Sequence, residues 1–237
     1  MQFYDLNCIA RKPLLKVLSQ YAADPSEKDR LASLSSDEVD PTDPQNYNVY
    51  IQADGRTILE VLESFSSVKV PLDHFLEELP KLQAREYSIS SSPDVHGKNV
   101  HITAVLVDFK TPTGRRHMGL CTSWFARNTP AAGQAISVPM FIGKSTFRLP
   151  KQITTPVIMV GPGTGFAPFR GFLHQLTHDK SKNPEAIVRS MLFYGCRRRD
   201  CDFIYEDEVN EFSSTGIVSD LHLAFSREKD SKGKSKL

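Results

Sequence analysis

Glycines at alternate positions in Gly161-Pro162-Gly163-Thr164-Gly165 follow four apolar residues, Val157 to Val160, and precede an amphipathic run through Phe169, Phe172, Leu173 and Leu176. Strand, bare turn and helix start, in that order, present peptide N–H groups at the positive end of a helix. That is a seat for a pyrophosphate. Thr164 adds a hydroxyl donor, and the four apolar residues read as a strand buried on both faces. A second group, Ser226-Arg227, stands just past the strand expected over Leu221–Phe225, at the edge where open α/β sheets bind ligands. A site for NAD usually shows an acidic residue that accepts from the ribose 2′-hydroxyl. Here a hydroxyl and a cation stand instead, with Lys229 and Lys232 beyond. That pairing favours a 2′-phosphate, and so NADPH over NADH.

Two further stretches suit a flavin. Arg85-Glu86-Tyr87-Ser88 sets a guanidinium, an aromatic ring and a hydroxyl on one expected short strand. Arg85 and Tyr87 then share a face. The guanidinium fork matches two oxygens of a diphosphate, and the phenol ring can stack on a flat heterocycle. Ser88 can hydrogen-bond the ring edge where hydride arrives. Gly119-Leu120-Cys121-Thr122 offers another anion seat at a helix N-terminus. Each stretch alone also fits something plainer: a glycine turn, a surface strand, a helix cap, a solvated lysine tail.

The elements that must position these groups fall into three runs. From Lys12 to Leu82 the periodicity is helical, with Leu14, Leu15, Leu18 and Tyr21 on one stripe. Asp24-Pro25 is an N-cap and first-turn proline. One longer helix is expected to carry Tyr47, Tyr50, Ile51, Ile58, Val61, Leu62 and Phe65, weakened in its middle by Gly55. Another starts at Pro71 with Leu72, Phe75, Leu76 and Leu79 on one stripe. At Arg85 the period changes to two. Tyr87–Ser90, Val100–Phe109, Val138–Ile142 and Ser145–Leu149 read as strands, and Pro112-Thr113-Gly114 as a turn. After Pro156 the alternation is βαβαβ, with strands at Val157–Gly161, Ser190–Gly195 and Asp220–Phe225. Helices near Phe169–His178 and Tyr205–Phe212 join them into a parallel sheet. The lysine-rich stretch from Lys229 to Lys236 has no apolar content and is not expected to pack.

With 237 residues, 40% hydrophobic, the chain has room for one or two domains with a real core. A formal net charge of +1 provides no global field for gripping nucleic acid or a membrane surface. No apolar run reaches the roughly 18 residues of a membrane span, and the N-terminus lacks a signal-peptide pattern. Cys8, Cys121, Cys196 and Cys201 form no CxxC pair and no His cluster accompanies them, so reduced thiols of a cytoplasmic protein are expected, with no metal.

Taken together, the motifs resemble the ferredoxin-reductase-like half of the diflavin reductases. Six stretches carry the resemblance in order: Leu79–Arg85, Tyr87–Ser92, Phe147–Pro150, Thr155–Phe169, Tyr194–Arg198 and Ala224–Glu228. The likeness is weak before Pro71 and strong after it. It is greatest to the family's cytochrome reductases; methionine synthase reductase and the sulfite reductase flavoprotein share the plan. The resemblance implies a multi-domain α/β fold with a β-barrel. Residues 1–83 would be a helical connecting domain, 84–150 a partial antiparallel FAD-binding barrel, and 151–237 a partial Rossmann-like NADPH-binding sheet. It implies FAD contacts at Arg85, Tyr87, Ser88, Thr103, Ala104, Val105, Gly119, Leu120, Cys121 and Thr122. NADPH contacts would fall at Thr164, Ser226, Arg227 and Lys232, with Ser88 assisting the hydride step.

Family members pass hydride from NADPH to FAD, then single electrons through FMN to a haem protein such as a cytochrome. They work at the cytosolic face of the endoplasmic reticulum when anchored there. Glu86 replaces a usual aromatic, Phe109 a usual tyrosine and Thr103 a usual cysteine. The chain reads as cut short at both ends. The FMN domain, the membrane anchor, the first barrel strands and the last NADPH-domain strands are expected to be missing. Those last strands carry the family's catalytic cysteine, which Cys196 and Cys201 do not match. The alternative expectations are a truncated, non-catalytic NADP(H)- or flavin-binding fragment, or a reductase of another diflavin subfamily such as methionine synthase reductase or the sulfite reductase flavoprotein.

Overall fold

The structure is a computed structural model that describes residues 3–38, 40–131, 134–229 and 235–236. In chain order its elements are α1 (Lys12–Gln20), α2 (Pro25–Ser35), a π-type turn (Asn48–Ala53), α3 (Ile58–Ser64), α4 (Leu72–Glu78) and α5 (Pro93–His96). Next come β1 (Asp108–Lys110), β2 (Arg116–Met118), α6 (Leu120–Arg127), β3 (Val157–Val160), a 3₁₀ turn (Gly163–Phe166) and α7 (Ala167–Lys182). The last are β4 (Ser190–Cys196), α8 (Arg199–Asp202), α9 (Glu206–Ser214), β5 (Asp220–Lys229) and β6 (Ser235–Lys236). Two compact units result: Met1–Arg85 with Leu106–Gln134, and Glu86–Val105 with Ala135–Leu237. No helix is long and apolar enough to cross a membrane among the described residues.

The first unit is helical around Leu14, Leu15, Leu18, Leu31, Ile51, Ile58 and Val61, all buried. Asp24 caps α2 as expected, its carboxylate accepting from the amides of Ser26 and Glu27. The single helix expected from Tyr47 to Phe65 is instead two elements. Gly55 sits at a positive φ of 61°, which ends the π-type turn rather than merely weakening a helix. Thr57 and Glu60 then form a capping box that starts α3 afresh. Leu72 also departs from the expected stripe: it is exposed, with Phe75 and Leu79 buried.

A buried carboxylate ties the first unit's helices to its hairpin. Asp54, 1% exposed, accepts from Thr113 Oγ1 at 2.6 Å and Arg115 Nε at 2.8 Å, and Arg115 also pairs with Glu60. Pro112-Thr113-Gly114 makes the turn between β1 and β2, as the sequence implies. The turn is thereby fixed to the π-type turn, 59 residues earlier in the chain.

The second unit holds the βαβαβ pattern. Strand β4 pairs parallel with β3 and with β5, and β6 adds antiparallel to β5. Helices α7 and α9 cover one face, where Met159, Leu192 and Tyr194 meet Leu173, Leu176, Val209 and Phe212. Crossovers of one hand that step in one direction put both helices on the same side. Strand β3 is therefore not buried on both faces: Met159 is 0% exposed, but Ile158 and Val160 are 69% and 64% exposed. The C-terminal lysine stretch was not expected to pack, yet Ser235–Lys236 pairs with β5. Burial pushes the Tyr194 phenol up to about 12, so it stays a donor, to the Asp202 carbonyl at 3.3 Å, while accepting from Ile204 N–H.

The expected strands between residues 85 and 150 are mostly absent among the described residues. Tyr87–Ser90 and Val100–Ile102 meet only through a bridge between Ile89 and Ile102, and of the longer run only Asp108–Lys110 forms a ladder. Val138–Ile142 and residues 145–148 are exposed, Leu149 is half-buried against the core, and neither run is laddered. Their alternation is genuine, but backbone N–H and C=O groups need a neighbouring strand to make a sheet.

Replacing Asp54 by alanine should destabilise the first unit by about 3 kcal/mol, because the Arg115 charge loses its most buried partner. Burial pushes the Asp54 carboxyl up, but hydrogen bonds from Thr113, Thr111 and Arg115 outweigh this and hold it well below the usual carboxylate range. Its contribution is thus complete above about pH 4 and fades as pH falls through the depressed value. Urea unfolding read by amide exchange in α3 and β2 checks both; an unchanged midpoint in Asp54→Ala contradicts the assignment.

Candidate functional site

At the carboxyl edge of the parallel sheet β3 runs into the glycine bend, while Ser226 and Arg227, expected just past the strand, lie within β5, which continues to Lys229 where β6 pairs with it. A Cβ on Gly161 would lie 2.7 Å from Phe169 and 2.9 Å from the Gly165 carbonyl, so the bend closes only around glycine. Gly163 takes φ +54°, and Thr164, half-buried, sits in the 3₁₀ turn that leads into α7. Pro162 and Ala224 both lie against Gly195 of β4. The bend and the end of β5 therefore sit on the same edge with only β4 between them. Two strand spacings are about 10 Å, within the span of a dinucleotide.

Arg227, exposed, lines a cavity of about 670 Å³ with Arg198, Arg199, Asp200, Glu206 and Glu228. Arg197, Arg198 and Arg199 are each paired, with Asp202, Asp200 and Glu206. No carboxylate pairs with the Arg227 guanidinium among the described residues, while its amide donates to the Arg197 carbonyl at 2.9 Å. That leaves one arginine free for an outside anion. Lys232, the remaining expected contact, lies outside the described residues.

The flavin candidates divide between the two units. Tyr87, Ser88, Thr103, Ala104 and Val105 belong to the second. In the register of the Ile89–Ile102 bridge, Ser88 stands opposite Thr103 and Tyr87 opposite Ala104. Ser88, Ala104 and Val105 are exposed. The Thr103 hydroxyl is engaged with Tyr205 at 2.9 Å, leaving its backbone rather than its side chain for a ligand. Arg170 anchors this segment. Only 8% exposed, it holds Glu208 with two hydrogen bonds of 2.7 and 2.8 Å, donates to the Ser90 carbonyl at 2.9 Å, and lies over the Tyr205 ring. It also donates to His101 Nδ1 at 3.3 Å, so that nitrogen carries no proton. His96 packs edge-on against both His101 and His174, and His174 meets Glu208 at 3.1 Å.

Arg85, Gly119, Leu120, Cys121 and Thr122 belong to the first unit. Without a strand at 85–88, Arg85 and Tyr87 do not share a strand face. The Arg85 guanidinium instead pairs with Asp5 at 3.2 Å. Gly119 caps α6 as expected: a Cβ there would meet Val107 at 2.7 Å, and the Val107 amide donates to Thr122 Oγ1 at 3.1 Å. Asp5, Gly119, Leu120, Ser123 and Arg127 line one cavity of about 420 Å³. Ser123 Oγ is buried there with no hydrogen-bond partner, and an unmet buried hydroxyl is costly without a ligand. Asp5, Ser123 and Arg127 were not singled out from the sequence. Ser123 had a readable signal, a hydroxyl one turn beyond the capping glycine.

A parallel sheet with a glycine bend and an unpaired arginine on its carboxyl edge defines a nucleotide-binding α/β protein. Comparison with known proteins narrows this. Residues 1–124 match the family model of the FAD binding domain, and residues 159–236 that of the oxidoreductase NAD-binding domain. The chain belongs to the FAD binding domain family, within the FAD- and NADPH-binding half of the diflavin reductases. It is 44% identical over 232 residues to the NADPH–cytochrome P450 reductase of Drosophila melanogaster, covering 97% of this chain and 33% of the relative. The enzyme of the same name from Sus scrofa is 42% identical over 232 residues, 97% of this chain and 34% of the relative. That from Oryctolagus cuniculus is 43% identical over 233 residues, with the same two shares of 97% and 34%. The chain thus spans about a third of the length of the curated relatives it matches.

Burial pushes His101 and His174 below the ordinary histidine value, and the Arg170 charge adds to it. Both are neutral when folded and take up protons more readily unfolded. The second unit should therefore be fully stable above about pH 6.5 and lose stability as pH falls from there toward 5. Amide exchange of residues 88–103 at pH 7.5 and 5.5 checks this, with a smaller acid effect expected in His101→Gln; equal protection at both pH values contradicts it.

Proposed function

We propose that this chain is the NADPH- and FAD-binding part of a flavoprotein oxidoreductase that carries hydride from NADPH to FAD, for onward electron transfer to a haem protein. The observation that carries the reading is the Arg227 guanidinium, without a carboxylate partner among the described residues, on the same sheet edge as the Gly161–Gly165 bend. The bend and Thr164 would hold the diphosphate, and Ser226 with Arg227 the 2′-phosphate. The matched FAD binding domain family and the buried, unpaired Ser123 hydroxyl support a flavin diphosphate at Gly119–Thr122. When bound, FAD supplies a two-electron acceptor that can release electrons singly.

The chain's own part is to orient and shield. Arg85 would meet phosphate oxygens, for which the Asp5 carboxylate now substitutes. Tyr87 would cover the flavin ring, and Ser88 would donate a hydrogen bond at the edge that receives hydride. The backbone of Thr103, Ala104 and Val105 would line the ring's other side. The same reading makes 1–83 a connecting region, 84–150 part of an antiparallel barrel and 151–237 part of a Rossmann-like sheet. It places the protein in the cytoplasm, at the endoplasmic reticulum where a longer form is anchored. The unladdered strands at Tyr87–Ser90 and Val138–Leu149 favour one other reading, a chain that binds NADP(H) without completing a flavin site.

Equilibrium dialysis tests the nucleotide half. Arg227→Ala should weaken NADPH by roughly one to two decades, the worth of a charge-assisted hydrogen bond, and leave NADH nearly unchanged; equal losses would refute the 2′-phosphate role. Flavin absorbance after reconstitution, with NADPH-driven ferricyanide reduction, tests the rest. Yellow, active protein supports the oxidoreductase, and colourless protein that still binds NADPH supports the other reading.

A further inference from the structure

Of three successive arginines, Arg197, Arg198 and Arg199, the last two line the cavity with Arg227, and their holds differ. Arg197 closes a loop onto Asp202, whose amide in turn donates to the Arg198 carbonyl at 3.0 Å. Arg199 is fixed from three sides: it pairs with Glu206, lies over the rings of Phe203 and Phe225, and gives its amide to Glu228 at 2.8 Å. Arg199 cannot turn to a ligand without undoing packing, and Arg197, itself exposed, lies outside the cavity lining. Arg198 is different. Both it and Asp200, two residues on, are more than half exposed, and its guanidinium is held by a fork of 2.9 and 2.5 Å to that carboxylate.

We propose that Arg198 is a second guanidinium for the 2′-phosphate, held in readiness by Asp200 until the nucleotide arrives. This rests on the nucleotide reading of the same edge. The physical case is an exchange of anions. An exposed carboxylate–guanidinium pair in water contributes little, whereas a phosphate dianion offers the same fork more charge and three acceptor oxygens. Arg227 meets a doubly charged ester beside three carboxylates, Asp200, Glu206 and Glu228. Moving Arg198 from Asp200 to the ester supplies a further positive charge from within the cavity. Asp200, freed, can turn to water. Before binding, it keeps two uncompensated cations from facing each other across the cavity.

Binding of 2′,5′-ADP and of 5′-AMP by calorimetry to the 237-residue chain tests this. Arg198→Ala should weaken 2′,5′-ADP about tenfold, one charged hydrogen bond's worth, with 5′-AMP unchanged. Asp200→Asn should tighten 2′,5′-ADP about threefold, because the competing carboxylate is gone, and this gain should vanish when Arg198→Ala is added. Both residues are exposed, so the variants should keep the parent's circular dichroism. If Arg198→Ala affects both ligands equally or neither, or if Asp200→Asn tightens binding without Arg198, the proposal fails. Arg227→Ala separates the two levels. If it abolishes the preference for 2′,5′-ADP while Arg198→Ala does not, the reserve arginine is wrong and the nucleotide site stands; if it too leaves the preference intact, both fall.

Discussion

Arg170 has to carry a full charge into an interior otherwise built from aromatic and aliphatic side chains, and the way that charge is met organises the second unit. Its fork to Glu208 joins α7 to α9, a third donor reaches the Ser90 carbonyl, and the Tyr205 ring lies beneath it. A buried ion pair is weak evidence for net stability, since desolvation offsets most of its attraction. Its value here is positional. Through the bond to the Ser90 carbonyl, the segment bearing Tyr87 and Ser88 is held to the same two helices that back the sheet. Burial, with the Arg170 charge adding to it, pushes His101 and His174 below the ordinary histidine value.

The functional edge follows from the sheet that these helices support. Parallel strands point their carboxyl ends to one side, so the loop after β3 and the outer part of β5 lie on one edge although 60 residues or so of chain separate them. Glycine lets that loop come close, and Arg227 on the strand offers charge. The nearby arginines are mostly neutralised by acids within the chain, which limits non-specific attraction of anions and leaves selectivity to the geometry of the few donors still open. Charge counting on the whole chain, at +1, conceals this local arrangement.

Much of this was legible in the residues. The βαβαβ alternation, the Asp24 cap, the Pro112–Gly114 turn and the glycine approach to α6 are local patterns, and local patterns survive folding. Other features were not legible because their causes are distant. The apolar run of β3 looks the same whether one face or two are covered, and only the placement of α7 and α9 on a single side decides it. Thr57 and Glu60 carry the spacing of a helix start, but it was masked by the apolar periodicity that runs across Gly55 from Tyr47 to Phe65. The strands read between 85 and 150 have the right alternation, yet alternation does not supply a neighbour. At the candidate site, Arg227, Thr164 and the glycine bend declared themselves by type and spacing. Asp5, Asp54 and Arg170 did not, because a charge at one position says nothing of which partner, dozens of residues away, will bury it.

The central claim is that a phosphorylated adenine dinucleotide lies across the carboxyl edge with its extra phosphate beside Arg227. Phosphorus NMR of NADP⁺ added to the purified chain reads that phosphate directly. Bound beside a guanidinium, the 2′-phosphate resonance should shift, and its titration midpoint should fall below the free ester's value of about 6. A 2′-phosphate that titrates as it does free in solution, whether or not the diphosphate resonances respond, would contradict the account.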